Sequence, residues 1–146
     1  VVVNILTNIA YHKREISVFG GSQLRPNIHI ADMVNAYSAL LVAPINKVAG
    51  KIFNAGYENQ SVKEIAETVK EVVGEDVKLI KTPTDDNRSY HISSEKIKSE
   101  LGFEAVHSIR QAVLDLCEAF DNNLLPDSLN DPKYFNIKTM QNIKLN

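Results

Sequence analysis

The stretch from Gly50 to Gly74 constrains the fold more than any other part of this chain. Gly50-Lys-Ile-Phe-Asn-Ala-Gly56 reads as a short buried strand that closes on a glycine turn. Soon after it, Ser61 and Glu64 have the spacing of a capping box, in which each side chain satisfies a backbone N–H near the other. Val62, Ile65, Ala66, Val69 and Val72-Val73 follow at helical period, and Gly74 ends the run. A strand that turns into a capped amphipathic helix is the building unit of α/β structure, and α/β is the fold class predicted here.

The flanking segments extend the pattern. Val2, Ile5, Leu6 and Ile9 recur at helical spacing from the first residues, with no Ser, Asp, Asn or Pro ahead of them as a starting signal. The first residue is Val1 rather than Met, so the expectation is a chain that begins inside a helix and is cut from a longer protein. Glu15-Ile-Ser-Val-Phe-Gly-Gly21 alternates around Ile16 and Val18 and suits a strand and turn. Asn27–Ile30 reads as a second extended piece, after which Asp32 is placed to cap a helix with Val34, Tyr37, Leu40 and Leu41 inward, ending before Pro44. Val77–Ile80 is a predicted strand, and Thr82–Arg88 a polar loop. Ser93 or Ser94 starts a short helix that stops at Gly102, and Ser108 caps another from Ile109 towards Phe120. Beyond Asp121 the periodicity dissolves around Pro126 and Pro132, which divides the chain into residues 1–120 and an irregular extension, 121–146. The strands are too few for a complete doubly wound sheet, so the architecture is read as partial.

Composition narrows the function classes. A chain of 146 residues, 44% hydrophobic and 23% charged, can bury one core. Its net charge of -2 comes from basic and acidic residues mixed along the chain, which argues against nucleic acid or an anionic membrane as partner. A single cysteine, Cys117, fits a reducing compartment, and no apolar run approaches the length of a membrane span. A cytoplasmic location is the expectation.

The sharpest local feature is Phe19-Gly-Gly-Ser-Gln-Leu-Arg25, a strand running into small residues with a guanidinium just beyond. Glycines permit close approach by a ligand, Arg25 offers a planar charged fork for phosphate oxygens, and Gln23 adds neutral donors. An ordinary hairpin turn with an exposed arginine accounts for the same residues. Asp86-Asn-Arg-Ser-Tyr90 is the second candidate: Arg88 and Arg25 together suit a diphosphate, whereas pairing of Arg88 with Asp85 or Asp86 on a solvated loop is the plain structural reading. His12, His29, His91 and His107 lack metal-ligand spacing, and Cys117 sits in an apolar helical pattern as a small core residue. Gly20-Gly21 belongs to no G-x-G-x-x-G fingerprint.

Taken in order, Ile16-Ser-Val-Phe-Gly-Gly, Gln23-Leu-Arg-Pro, Ile28-His-Ile-Ala-Asp32, Ile52-Phe-Asn-Ala-Gly56 and Ser94-Glu-Lys-Ile-Lys with Leu101-Gly-Phe103 resemble the C-terminal region of extended short-chain dehydrogenase/reductases, the NAD-dependent nucleotide-sugar epimerases and dehydratases. The resemblance covers roughly residues 1–120. It implies an α/β fold that is the substrate-binding portion of a Rossmann-type enzyme, without the N-terminal half that carries NAD or NADP and a catalytic Tyr-x-x-x-Lys pair. Neither Tyr11-His-Lys-Arg-Glu15 nor Tyr37-Ser-Ala-Leu-Leu41 places a lysine four positions after its tyrosine. By the resemblance, the substrate is a nucleotide-diphospho-sugar, held through Val18, Phe19, Gln23, Arg25 and Arg88, and the chain alone binds no cofactor and does not catalyse. The carry-over to Arg88 departs from the commoner pattern, since Pro83 and Thr84 stand where many relatives place an arginine before a Gly-Asp pair. Two other readings stay open: a free-standing nucleotide or phosphate-binding module, and a helix-mediated protein-interaction domain. Helices that lack a sheet to cover would expose apolar faces, so self-association is also expected.

Overall fold

The computed structural model describes residues 2–86 and 88–143. Its elements run α1 (Val2–Lys13), β1 (Glu15–Phe19), β2 (Leu24–Asn27), α2 (Ile30–Val42), α3 (Ile45–Val48), β3 (Glu58–Ser61), α4 (Val62–Val73), β4 (Lys78–Thr82), α5 (Glu95–Leu101) and α6 (Ile109–Asp121), then a 3₁₀ turn at Pro132–Tyr134 and α7 (Asn136–Asn142). Strands β1 and β4 pair in parallel, Glu15 opposite Lys78 and Phe19 opposite Thr82. Strands β2 and β3 pair antiparallel, with Arg25 opposite Gln60.

Strand alternation decides where the main core forms. Along β1 the side chains of Ile16 and Val18 are buried while Glu15, Ser17 and Phe19 are exposed. The buried pair meets Ala10 and Leu6 of α1, Ile65, Ala66 and Val69 of α4, Val77 before β4, and Ile109 and Val113 of α6. Each fully buried Ile or Val in this cluster contributes about 1.5–3 kcal/mol of hydrophobic stabilisation. A second, smaller cluster joins Ala36, Ile97, Phe103 and Ala105, with Phe53 and Ala55 packed at its edge.

Helix α4 is formed as its signals require. Ser61 Oγ accepts from the Glu64 N–H, the Glu64 carboxylate accepts from the Ser61 N–H, and Gly74 closes the helix. Ser108 caps α6 by accepting from the Gln111 N–H, and Gly102 ends α5 in the left-handed conformation.

Several sequence expectations are corrected. The cap of α2 is His29, whose Nδ1 accepts from the Ala31 N–H, and Asp32 lies buried in the first turn instead. Val34, Tyr37 and Leu41 point outward, at 55%, 63% and 86% exposure, and Leu40 is half-buried; the small Ala36 is buried against the second cluster, with Ala39 packed beside it. Strand β2 precedes the predicted position, spanning 24–27 rather than 27–30. Residues 51–57 form no strand, because no neighbouring strand is there to complete a ladder. That stretch is instead pinned by Lys96 Nζ on the Ile52 carbonyl and by Ser94 Oγ, which accepts from the Gly56 N–H and donates to its carbonyl. The inward stripe of α1 is Val3, Leu6, Thr7 and Ala10, while Ile5 is exposed. Two short helical pieces, the 3₁₀ turn and α7, occur in the segment read as irregular.

Candidate functional site

The site grows from the end of β1. Past Phe19 the chain must reverse into β2, and Gly20 does so at φ +71°, a conformation that strains residues with a Cβ. There is also no room for one: a Cβ on Gly20 would lie 2.6 Å from Thr84 Cγ2 and 2.8 Å from Gln23 Nε2. Gln23 locks the turn from inside, its Nε2 donating to the Phe19 carbonyl at 2.9 Å and its Oε1 accepting from the Gly21 N–H at 2.6 Å. The side chain is 8% exposed.

This turn delivers Arg25 onto β2 facing the 83–90 loop, which is itself anchored by Ser89 Oγ accepting from the Leu24 N–H at 2.9 Å. Arg25 Nη1 donates to the carbonyls of Leu24 (2.9 Å) and Arg88 (2.6 Å), and its Nη2 lies 3.6 Å from Asp86 Oδ2. The guanidinium carbon sits 5.4 Å from the centre of the Tyr90 ring, within cation–π range. Arg88 grips the same carboxylate with a two-point fork, Nε to Oδ1 at 2.7 Å and Nη2 to Oδ2 at 2.8 Å. The Arg88 side chain and backbone N–H hold the Asp86 carboxyl well below the usual carboxylate range, and the same contact raises the pKa of Arg88.

The five residues singled out in the sequence therefore fall into distinct settings. Arg25 and Arg88 are brought together around Asp86, one largely shielded and the other 82% exposed. Phe19 is exposed at the end of β1, opposite Thr82 of β4. Gln23 is committed to the turn, and Val18 is turned into the main core, so neither presents a free polar or apolar side chain on the Arg25 side. The expected pairing of Arg88 with an aspartate is realised with Asp86. That Arg25 shares the same carboxylate is not legible in the sequence, because positions 25 and 86 are distant in the chain.

A second polar cluster went unanticipated. Asp32 accepts from the backbone N–H of Val106 (3.0 Å) and His107 (2.8 Å), and its Oδ1 lies 2.8 Å from His107 Nδ1. Burial opposes ionisation of Asp32, yet these hydrogen bonds outweigh it and lower its pKa. The His107 ring stacks on His29 at 4.9 Å, and His29 Nε2 lies 3.0 Å from Asp115 Oδ2. A cavity of about 560 Å³ opens beside them, lined also by Asn27, Tyr57 and Glu58. It lies on the α6 side of β2, away from the two arginines.

The described residues contain no group of three or more His, Cys, Asp or Glu placed to hold a metal. None of the described helices is long and apolar enough to cross a membrane. Gly20-Gly21 leads into β2 and not into a helix, and β3 passes into α4 with no glycine loop, so neither junction has the form of a dinucleotide cradle.

Three comparisons set these features against known proteins. The sequence pattern described as "NAD dependent epimerase/dehydratase family" matches residues 1–56. A UDP-glucose 4-epimerase from Corynebacterium glutamicum is 31% identical over 125 residues, which is 77% of this chain and 37% of that protein. Among solved structures, UDP-glucose 4-epimerase from Thermotoga maritima with UDP-glucose superposes with a TM-score of 0.73, at 24% identity over 85% of this chain and 40% of its own. L-threonine dehydrogenase from Phytophthora infestans shares the fold at a TM-score of 0.71 and 13% identity, over 82% of this chain and 40% of its own. The chain thus spans about two-fifths of the length of these relatives, a partial representation of a Rossmann-like enzyme fold. The matched segment contains α1, β1, the glycine turn, Arg25 and all of α2, and over it the chain is similar to the NAD dependent epimerase/dehydratase family.

Proposed function

We propose that this chain is the substrate-binding portion of a nucleotide-sugar epimerase or dehydratase, and that Arg25 and Arg88 take the diphosphate of the substrate. The observation that carries the reading is the gathering of two guanidinia on one carboxylate, beside the exposed ring of Tyr90 and after a glycine turn. Two arginines with fork geometry match the oxygens of a diphosphate, and Phe19, exposed at the end of β1, is assigned the base in this reading. The similarity to UDP-glucose 4-epimerases supports the substrate class.

In this reading the chain contributes position rather than chemistry. Binding energy from the nucleotide, remote from the reacting carbon, orients the sugar for groups elsewhere in the complete enzyme. NAD or NADP, when bound, would take and return hydride; neither glycine junction among the described residues has the form of a cradle for it, and in this reading the cofactor is held elsewhere in the complete enzyme.

Calorimetry with UDP-glucose tests the assignment. Arg25→Ala abolishes binding, Arg88→Ala weakens it, and no turnover occurs with NAD and UDP-glucose. Equal affinity in wild type and Arg25→Ala overturns the reading and favours a partner other than a nucleotide sugar. Turnover by the isolated chain overturns its assignment as a binding portion only.

A further inference from the structure

The electrostatics of the arginine pair hold one feature that a simple cationic pocket lacks: its charge is already engaged from within. Arg88 is 82% exposed, yet its guanidinium is folded back on Asp86 in a two-point contact at 2.7 and 2.8 Å. Arg25 is held by two carbonyls through Nη1, and its Nη2 is the nitrogen turned towards the same Asp86 oxygen. One carboxylate with two oxygens thus occupies the convergence of two charged forks. This is the geometry that a phosphate group would itself adopt between them.

We propose that Asp86 is an internal stand-in for phosphate, a carboxylate that holds Arg25 and Arg88 in register when no ligand is bound and is displaced by the diphosphate of a nucleotide. The inference rests on the reading of Arg25 and Arg88 as phosphate ligands.

Three physical points support the displacement. The charge balance favours it: a single negative charge faces two positive ones, so an excess of positive charge remains to draw in an anion that carries more than one. The contact with Arg88 is inexpensive to break, because an ion pair whose arginine is 82% exposed contributes little net stability, and a phosphate replaces what both arginines lose. The release is local, because the backbone of the turn stays held by the Asp86 N–H on Thr84 Oγ1 at 3.1 Å, and the departing carboxylate gives up, besides the guanidinia, the bond its Oδ1 accepts from the Arg88 N–H at 3.1 Å. Its side chain can leave the guanidinia without disturbing the sheets. The stand-in also keeps two flexible cationic side chains ordered, which lowers the entropy lost on binding. It therefore raises the threshold for weak monoanions while leaving the site prearranged for a diphosphate.

The experiment uses the whole chain, with inorganic pyrophosphate and UDP as probes in calorimetry. Asp86→Asn removes the competing charge and keeps the side-chain shape, and it should bind both probes about fivefold more tightly, the factor corresponding to one exposed ion pair. Asp85→Asn removes the same charge from the adjacent position and should change affinity by less than about twofold. Unchanged or weaker binding in Asp86→Asn overturns the proposal, as does an equal gain in Asp85→Asn, which would make the effect one of net charge. A second measurement needs no variant: the Asp86 carboxyl resonance in carbon NMR should titrate at higher pH when the chain is saturated with pyrophosphate, because its guanidinium partners have moved to phosphate. A titration that stays in place with ligand bound overturns the proposal. Arg25→Ala separates this inference from the reading beneath it. Loss of UDP binding in Arg25→Ala without tightening in Asp86→Asn removes only the stand-in, whereas unaltered UDP binding in Arg25→Ala removes both.

Discussion

Burying a carboxylate costs free energy that only several hydrogen bonds can offset, and Asp32, 1% exposed, receives three. They come from the loop that leads into α6, so one side chain fixes the first turn of α2 against that loop. Asp32→Asn leaves all three donors without a charged acceptor, turns an NH2 donor towards at least one of them, and should lower stability by about 1–3 kcal/mol, read from thermal melts near neutral pH. The pH dependence has a definite sign. Because the folded-state pKa of Asp32 lies below its ordinary value of 3.8, its contribution is fully present above that value and is lost as pH falls through the lower, folded one. The variant should lack this part of the acid-induced loss. A melting temperature that falls equally steeply in both proteins between pH 5 and pH 2 would count against the role given to Asp32.

At the scale of elements, α4 shows what local sequence can specify. Its capping box, buried stripe and terminal glycine all lie within the helix and its two flanking residues, and Ser61→Ala should cost about 1 kcal/mol of stability in chemical denaturation. An unchanged unfolding midpoint would show that tertiary packing alone holds the helix. Helix α2 shows the opposite case. Periodicity revealed that Val34, Tyr37 and Leu41 share a face, but not whether that face turns inward, which depends on what packs against it. Asp32 and Ala36 anchor the other side instead. The 51–57 stretch failed as a strand for a similar reason, since a strand exists only with a partner and pairing is non-local. The arginines were legible singly, from glycines and polar turn residues nearby. Their common carboxylate was not, because positions 25 and 86 are joined only once β1 and β4 pair and β2 meets the 83–90 loop.

For the molecule as a whole, the outstanding surface feature is apolar. Ile30, Val34, Tyr37 and Leu41 recur along one side of α2 and stand 55–86% exposed, and Val42 and Ile45 extend the patch towards α3. A contiguous apolar face of this kind on a free chain promotes association. Light scattering should find the chain self-associated, and the double variant Val34→Glu with Leu41→Glu should shift it towards monomer. A wild-type chain that is monodisperse as a monomer and melts cooperatively would refute the expectation.

The pairing of β1 with β4 has a consequence in time. Glu15 meets Lys78, so the ladder closes a loop of 78 − 15 = 63 positions, and the closure entropy falls due before the strand contacts reward it. Local units such as the capped α4 form on far shorter timescales than such a crossover. The Gly20 N–H bonds to the Thr82 carbonyl at the end of that ladder, next to the loop that carries Asp86 and Arg88. The Arg25–Asp86–Arg88 cluster, which is joined across that crossover, is therefore expected to assemble after the local units of the fold.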